Sequence, residues 1–329
     1  MSAWAIPPFA CSSSLPQEKR LCLSTAVQAM HICLYAPRVC ALTKTDASPV
    51  SAADVAIQAT VTRSLRAAFP QDALIAEEDR DVVLADLALT LAAQELLTFD
   101  VAGALQETDR DGHGRCWTLD PIDGTKGFLS GRGYAVGLAL LAEAGAEGAP
   151  EPLLAALTLP SEGIALLAEP GMRELHVYAL DGALAKETLG SALDIDRFKP
   201  RRLKKRHPGM EHVWLLSGTE DLHLSGRPPW THLCCGSLVK YAAVARQRAF
   251  AFVQVLPERH AHVWDHAAGI ACVLAAGGRV TDEMGGEVLL GCGQRKDALK
   301  LQSGDAIVAT GKAVSHQRVC EEVRAALMG

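Results

Sequence analysis

Between Tyr134 and Gly182 the chain repeats one pattern: "YAVGLALLAEAG", "PLLAALTLP", "GIALLAEP" and "RELHVYALDG", separated by Pro-Ser-Glu-Gly and Pro-Gly turn signals. Short apolar runs bounded in this way read as successive strands joined by tight returns. They predict an antiparallel meander, which commits the middle of the chain to a sheet. Ahead of it, Leu21, Leu23, Ala26, Ala29, Met30 and Cys33 recur at helical spacing from Lys19 to Tyr35, and Pro37 ends the run. A second helical run is expected from Ser51 to Phe69, stopped by Pro70. "ALIAEEDRD" is a short apolar run that ends in acids, and "DVVLADLALTLAAQELL" reads as one more helix.

After Lys199 the pattern changes. "HVWLLSG", "RAFAFVQVLP", "GGRVTDEMGG" and "DAIVATG" read as strands, alternating with helices at "LVKYAAVARQR", "DHAAGIACVLAAGG" and "SHQRVCEEVRAALM". Alternation of this kind predicts an α/β fold with an α+β N-terminal part. The basic run "KPRRLKKR" reads as a solvated linker, with the boundary near residue 207. The expected division is residues 1–207, an α+β domain with the antiparallel sheet, and residues 208–329, an α/β domain.

A chain of 329 residues, 49% apolar and 21% charged, has enough core for about two globular domains. Its formal charge of -6 excludes a general nucleic-acid or membrane-surface binder, because no phosphate-tracking excess of Lys and Arg exists. A small-molecule partner is expected; monomer and homodimer are both left open. The 10 cysteines include no C-x-x-C pair, so they read as reduced thiols. No stretch is long and apolar enough to span a bilayer. "MSAWAIPPFACSSSLPQE" lacks the basic start and apolar block of a secretory signal. These features predict a cytoplasmic protein, with organelle targeting left open.

Three motif-like stretches carry no chemistry. Gly131, Gly133 and Gly137 have G-x-G-x-x-x-G spacing and lead into a strand, where a dinucleotide fingerprint needs a helix. His260, His262 and His266 fit no zinc spacing. Gly304 and Gly311-Lys312 are too far apart for a phosphate-binding P-loop.

The acids are different. Asp46 and Asp54 in "KTDASPVSAAD", Glu77-Glu78-Asp79 after "LIA", Asp120 and Asp123 in "DPIDGTKGF", and Asp265 after "HVW" all follow apolar runs. Singly, each reads as a cap or a turn. Gathered in one cleft they would repel one another and raise their pKa values unless a cation neutralised them. Hard oxygen ligands of this kind point to Mg²⁺. Pro121 fixes φ and donates no amide hydrogen, so Asp120, the Ile122 carbonyl and Asp123 can face one point. Gly124 and Thr125 then sit at a helix start, with amides able to receive a phosphate oxygen.

"DPIDGTKGF", "KTDASPVSAAD", "AEED" and "VWDHAAG", spread over about residues 20–290, resemble the lithium-sensitive, Mg²⁺-dependent superfamily of inositol monophosphatase and fructose-1,6-bisphosphatase. The match is closest to its 3'(2'),5'-bisphosphate nucleotidase branch. The resemblance implies a layered αβαβα sandwich. It makes Glu77, Asp120, the Ile122 carbonyl, Asp123 and Asp265 metal ligands, for roughly two to three Mg²⁺ ions per site. It assigns activation of the attacking water to Asp46 and Thr125 and phosphate binding to Gly124 and Thr125. Nucleotide contacts fall on Ser237 and Lys240 in "GSLVKY", and on Arg259 before "HVWD".

The implied reaction removes the 3'-phosphate of 3'-phosphoadenosine 5'-phosphate by metal-activated water, giving AMP and phosphate; 3'-phosphoadenosine 5'-phosphosulfate is a further candidate substrate. The alternatives are an inositol 1-phosphate or 1,4-bisphosphate phosphatase and a non-catalytic Mg²⁺- and nucleotide-binding sensor. The chain departs from the pattern at Ala76, where a Gly is usual before the paired acids. Gln254 or Val255 stands where fungal members place a strand Arg, and Thr219 and Glu220 where they offer a His.

Overall fold

The computed structural model describes residues 16–44, 48–108, 115–142, 151–180, 200–201, 214–217, 230–232, 236–256, 258–291 and 299–328. The first part runs α1 (Gln17–Tyr35), β1 (Cys40–Thr43), β2 (Pro49–Ser51), α2 (Ala52–Ala68), β3 (Ala73–Ala76), α3 (Arg80–Ala85), α4 (Leu87–Glu95), α5 (Val101–Leu105), β4 (Cys116–Asp123), α6 (Thr125–Leu129), β5 (Ala135–Leu141), β6 (Pro152–Leu159), β7 (Ile164–Glu169), β8 (Glu174–Ala179) and β9 (Pro200–Arg201). The second runs β10 (Trp214–Ser217), β11 (Trp230–His232), α7 (Leu238–Ala245), β12 (Ala251–Val255), β13 (His260–Ala261), α8 (Ala267–Ala275), β14 (Arg279–Asp282), β15 (Val288–Leu289), β16 (Leu299–Leu301), β17 (Ala306–Thr310) and α9 (His316–Met328). The expected boundary near residue 207 lies outside the described residues.

The meander forms as the sequence predicts. β3 to β9 make one sheet in chain order, with β3 and β4 parallel and every later pair antiparallel. Its central strands β5, β6 and β7 are mostly apolar because both faces are covered. Trp117, Leu119, Val136, Leu138, Leu140, Ala156 and Leu167 face a core shared with α1, α2, α4 and α5. The alternate residues Ala135, Ala139, Leu141, Leu157 and Leu166 face a second core with Tyr241, Val244, Ile270 and Val273 from α7 and α8. Period-two alternation thus divides each strand between two cores.

A mixed sheet, ordered β11-β10-β12-β17-β14, closes the second core with Phe252, Ile307 and Ala309. Its other face packs Val253, Ala306 and Val308 on Val319, Cys320 and Val323 of α9. Helices, sheet, helices, sheet and helix follow in five layers, the αβαβα sandwich that the resemblance implies. Among the described residues, Cys22, Cys33, Cys116, Cys272 and Cys320 are buried. No helix among the described residues is long and apolar enough to cross a membrane.

Two local expectations need correction. The run read as one helix from "DVVLADLALTLAAQELL" is broken at Asp86, whose side chain accepts from the Leu89 amide and caps α4. A cap supplied in mid-run costs less than continuing with Asp inside a helix. Asp120 and Asp123, read singly as caps or turns after an apolar run, lie inside β4, which continues to Asp123.

Asp282 holds the edge of the second sheet together. Its Oδ1 accepts from the amides of Met284 (3.0 Å) and Gly286 (2.6 Å), and its Oδ2 from Ser303 (2.8 Å) and Gly304 (2.9 Å). Asp282→Ala leaves those amides without their acceptor. It should lower unfolding free energy by about 3 kcal/mol in urea titrations; a loss below about 1 kcal/mol would show that the carboxylate is dispensable.

Candidate metal centre

The centre starts from two strands that run side by side. β3 and β4 pair in parallel with Ala76 opposite Leu119, so the next residues, Glu77 and Asp120, lie side by side where β3 ends and β4 runs on. The Glu77 amide donates to the Leu119 carbonyl at 3.1 Å and fixes that offset. Asp123 joins Asp120 by another device. Residues three apart in a regular strand point to opposite faces. Here the stretch from Asp120 to Asp123 spans only Gly137 to Ala135 on β5, so a bulge lies over Pro121 and Ile122. The extra residue turns both acids to one side, and Pro121 has no amide hydrogen for the ladder to lose. Asp265 arrives from the turn before α8, which packs across β5, β6 and β7. One carboxylate oxygen from each of Asp120, Asp123 and Asp265 lies within 4.8 Å of the others.

Among the described residues, nothing compensates the middle of this group. Both oxygens of Asp120 are buried and lack a hydrogen-bond partner. Burial, then the charges of Glu77, Asp123 and Asp265, hold Asp120 well above the ordinary carboxylate range. Burial, Asp123 and Glu77 do the same to Asp265. Asp123 is pushed up to about 6 by burial, with Lys240 and the amides of Leu238 and Ser237 restraining the rise.

Lys44 stands at one edge, with Nζ 2.8 Å from Glu77 Oε1 and 3.0 Å from Glu78 Oε2. Burial alone would depress its pKa, but these two carboxylates raise it. Its ammonium is bonded to the two glutamates, and its charge also restrains Asp265 and Asp54. Buried acceptor oxygens without donors, grouped with further carboxylates, suit a hard divalent cation. The residues present therefore fit a metal ion.

The other expected residues fall in different places. Gly124, with φ 86°, turns β4 into α6, and the Thr125 hydroxyl donates to the Ile122 carbonyl at 3.1 Å. Asp46 lies outside the described residues, as do Thr219 and Glu220. Asp54 forms the capping box of α2 with Ser51, accepting from its amide at 2.8 Å and its hydroxyl at 2.6 Å. It is also fully buried, its Oδ1 has no partner, and burial pushes it up to about 7, with Ser51 opposing and Glu77 adding to the rise. Asp79 caps α3, so the turn-and-cap reading holds for one of the three consecutive acids. Ser237 donates to Gln254 Oε1 at 3.1 Å, and the buried Lys240 ammonium donates to the Gly236 carbonyl. Arg259 is exposed and pairs with Asp305 at 2.6 Å, away from the acids.

Sequence reasoning missed three supports. Lys44 had a signal, its place beside Asp46 in "KTD". Gln58 lies one helical turn beyond Asp54 and clamps Glu78 through both backbone groups, donating to its carbonyl at 2.8 Å and accepting from its amide at 3.1 Å. The Tyr241 hydroxyl and His266 Nδ1 lie 3.0 Å apart, a pairing of distant residues that no local pattern announces.

Comparison with known proteins gives a consistent result. The model of the Inositol monophosphatase family matches residues 32–328. A protein of Arabidopsis thaliana, provisionally named as a mitochondrial 3'(2'),5'-bisphosphate nucleotidase, is 29% identical over 94% of this chain and 87% of its own length. The 3'(2'),5'-bisphosphate nucleotidase 1 of Candida albicans is 30% identical over 78% of this chain and 81% of its own. Among solved structures, the IMPase of Thermotoga maritima shares the fold with a TM-score of 0.63 at 19% identity, covering 95% of this chain and 99% of that one.

The raised carboxylates give a pH-dependent prediction. A group with a raised folded-state pKa contributes stability that is complete below its unfolded value, about 4 for a carboxylate, and lost as pH climbs through the folded value. Cation-free protein should therefore lose stability as pH rises past Asp123, at about 6, and Asp54, at about 7. Added Mg²⁺ should raise the melting temperature more at pH 8 than at pH 5. Equal shifts at the two pH values would contradict the assignment.

Proposed function

The chain belongs to the inositol monophosphatase family, and from that premise we propose that it is a Mg²⁺-dependent phosphomonoesterase acting on 3'-phosphoadenosine 5'-phosphate. The products would be AMP and phosphate, with 3'-phosphoadenosine 5'-phosphosulfate as a second substrate. The observation that carries the metal-dependent part is Asp120, buried beside Asp123 and Asp265 with no hydrogen-bond partner for either oxygen among the described residues. The nucleotide part is supported by the names of the relatives, several of them called 3'(2'),5'-bisphosphate nucleotidases. A cytoplasmic location belongs to the same proposal.

In this reading Glu77, Asp120, the Ile122 carbonyl, Asp123 and Asp265 hold Mg²⁺, with two or about three ions per site. When bound, Mg²⁺ supplies Lewis-acid polarisation of the phosphoryl oxygens and lowers the pKa of water. Gly124 and Thr125 orient the phosphate by their amides. Asp46 and Thr125 would activate the attacking water as a pair: the Thr125 oxygen accepts a hydrogen bond that orients it, and the Asp46 carboxylate takes its proton. The bond of Thr125 to the Ile122 carbonyl aims its lone pairs away from that carbonyl, leaving them free to accept. Ser237 and Lys240 reach the nucleotide; Arg259, engaged by Asp305, is the weakest member of the contact set.

One observation favours a second reading. The strand position facing Ser237 carries Gln254, an uncharged donor and acceptor suited to hydroxyls. Phosphate transfer from an inositol phosphate to water is that alternative.

Side-by-side assays with the bisphosphonucleotide and with inositol 1-phosphate should show faster turnover of the nucleotide; the reverse order replaces it with the polyol. Activity should vanish in EDTA, return with Mg²⁺ and fall with millimolar Li⁺. Asp120→Ala should cost more than the roughly 10- to 100-fold typical of a supporting residue. A protein that binds Mg²⁺ but releases no phosphate from either substrate would instead be a sensor.

A further inference from the structure

We propose that the turn Gly236–Ser237–Leu238 is the positioning element of Asp123, and that Gly236 sets cation affinity without touching the cation. The proposal rests on the metal-dependent reading of the acid cluster. The Ser237 amide donates to Asp123 Oδ1 at 3.0 Å, and the Leu238 amide donates to Oδ2 at 2.6 Å. Each carboxylate oxygen thus has one donor, supplied by consecutive backbone groups more than a hundred residues further along the chain. A carboxylate oxygen has two lone-pair directions. The fork takes one on each oxygen, fixes the plane of the group, and leaves the other pair for a ligand on the side of Asp120 and Asp265.

The fork requires glycine at its first position. Gly236 has φ 74°, in the left-handed region, and Ser237 follows at φ -84°, ψ -39°. Left-handed then right-handed backbone turns successive amides toward one anion, a nest. A Cβ on Gly236 would overlap all three atoms of the Asp123 carboxylate group. That overlap could be relieved only by moving the carboxylate or the turn, because Asp123 sits in a β4 bulge that is itself buried.

The turn is anchored from behind. Lys240 donates to the Gly236 carbonyl, and the Leu238 side chain fills the space that the missing Cβ of Gly137 on β5 leaves. Tyr241, one position beyond Lys240, bonds to His266, the neighbour of Asp265. One short stretch of α7 therefore braces Asp123 directly and Asp265 through His266.

Gly163 provides the control, since it is also left-handed, at φ 65°, but no atom of the described residues lies within 4 Å of where its Cβ would be. Gly163→Ala carries the backbone cost alone; Gly236→Ala adds displacement of Asp123. Calorimetric titration with Mg²⁺ and with Mn²⁺ should show Gly236→Ala, folded by circular dichroism, binding about 10- to 100-fold more weakly. Gly163→Ala should bind within about twofold of wild type, and Ser237→Ala, which keeps its amide, should do the same.

A folded Gly236→Ala with wild-type affinity overturns the proposal. Amide exchange tests it even if that variant does not fold. By reciprocity, a cation that needs the braced carboxylate must stabilise the brace, so Mg²⁺ should slow exchange at Ser237 and Leu238 in the wild-type protein. Wild-type binding without that slowing overturns the positioning role alone. No cation binding by wild type overturns the metal-dependent reading, and the proposal with it.

Discussion

The structure is organised around an electrostatic cost that the described residues do not cancel. Asp120 holds two buried oxygens without a donor, against Glu77, Asp123 and Asp265. A buried ionised carboxylate is tolerated only when paired, protonated or bound to a cation. Lys44 is committed to Glu77 and Glu78, and Lys240 to the Gly236 carbonyl. What remains is an all-oxygen group that either keeps protons or takes a hard cation. The rest of the fold can be understood as the scaffold that forces these acids together.

That scaffold draws on elements far apart in sequence. Parallel pairing of β3 with β4 brings Glu77 beside Asp120, the bulge in β4 adds Asp123, and α8 delivers Asp265 from the second core. Both faces of the seven-stranded sheet are covered, so its strands cannot slip without exposing one core. Burial that rigid can hold like charges close, as a flexible loop could not.

Much of this was legible in the sequence because its determinants are local. Pro- and Gly-marked turns gave the meander, helical spacing gave α1 and α2, and the four acid segments announced themselves at the ends of apolar runs. Other features were hidden because they depend on tertiary placement. Whether "LDPIDG" was a turn after a strand or a bulge inside one depended on pairing with β5. Asp79 and Asp54 both read as caps; Asp79 is the N-cap of α3, Asp54 completes the capping box of Ser51 from inside α2, and Asp54 is the one that is buried. Gln58 carries no signature, and the place of Tyr241 and Gly236 in "GSLVKY" did not reveal their roles, because each acts on a residue that the fold brings to it. Arg259 was singled out only by its place before a motif; its left-handed backbone and its pairing with Asp305 depend on the fold and left no local signal.

The central claim is that these acids retain protons until a divalent cation replaces them. Its most direct test is Mg²⁺ calorimetry near pH 6 in several buffers that differ in ionisation enthalpy. Since Asp123 is raised to about 6 and Asp120 and Asp265 stand higher than ordinary carboxylates, binding should release protons. The observed heat should then vary linearly with buffer enthalpy, and the number of protons released should decline as pH rises. Heat that is independent of the buffer, or no binding at all, would contradict the account.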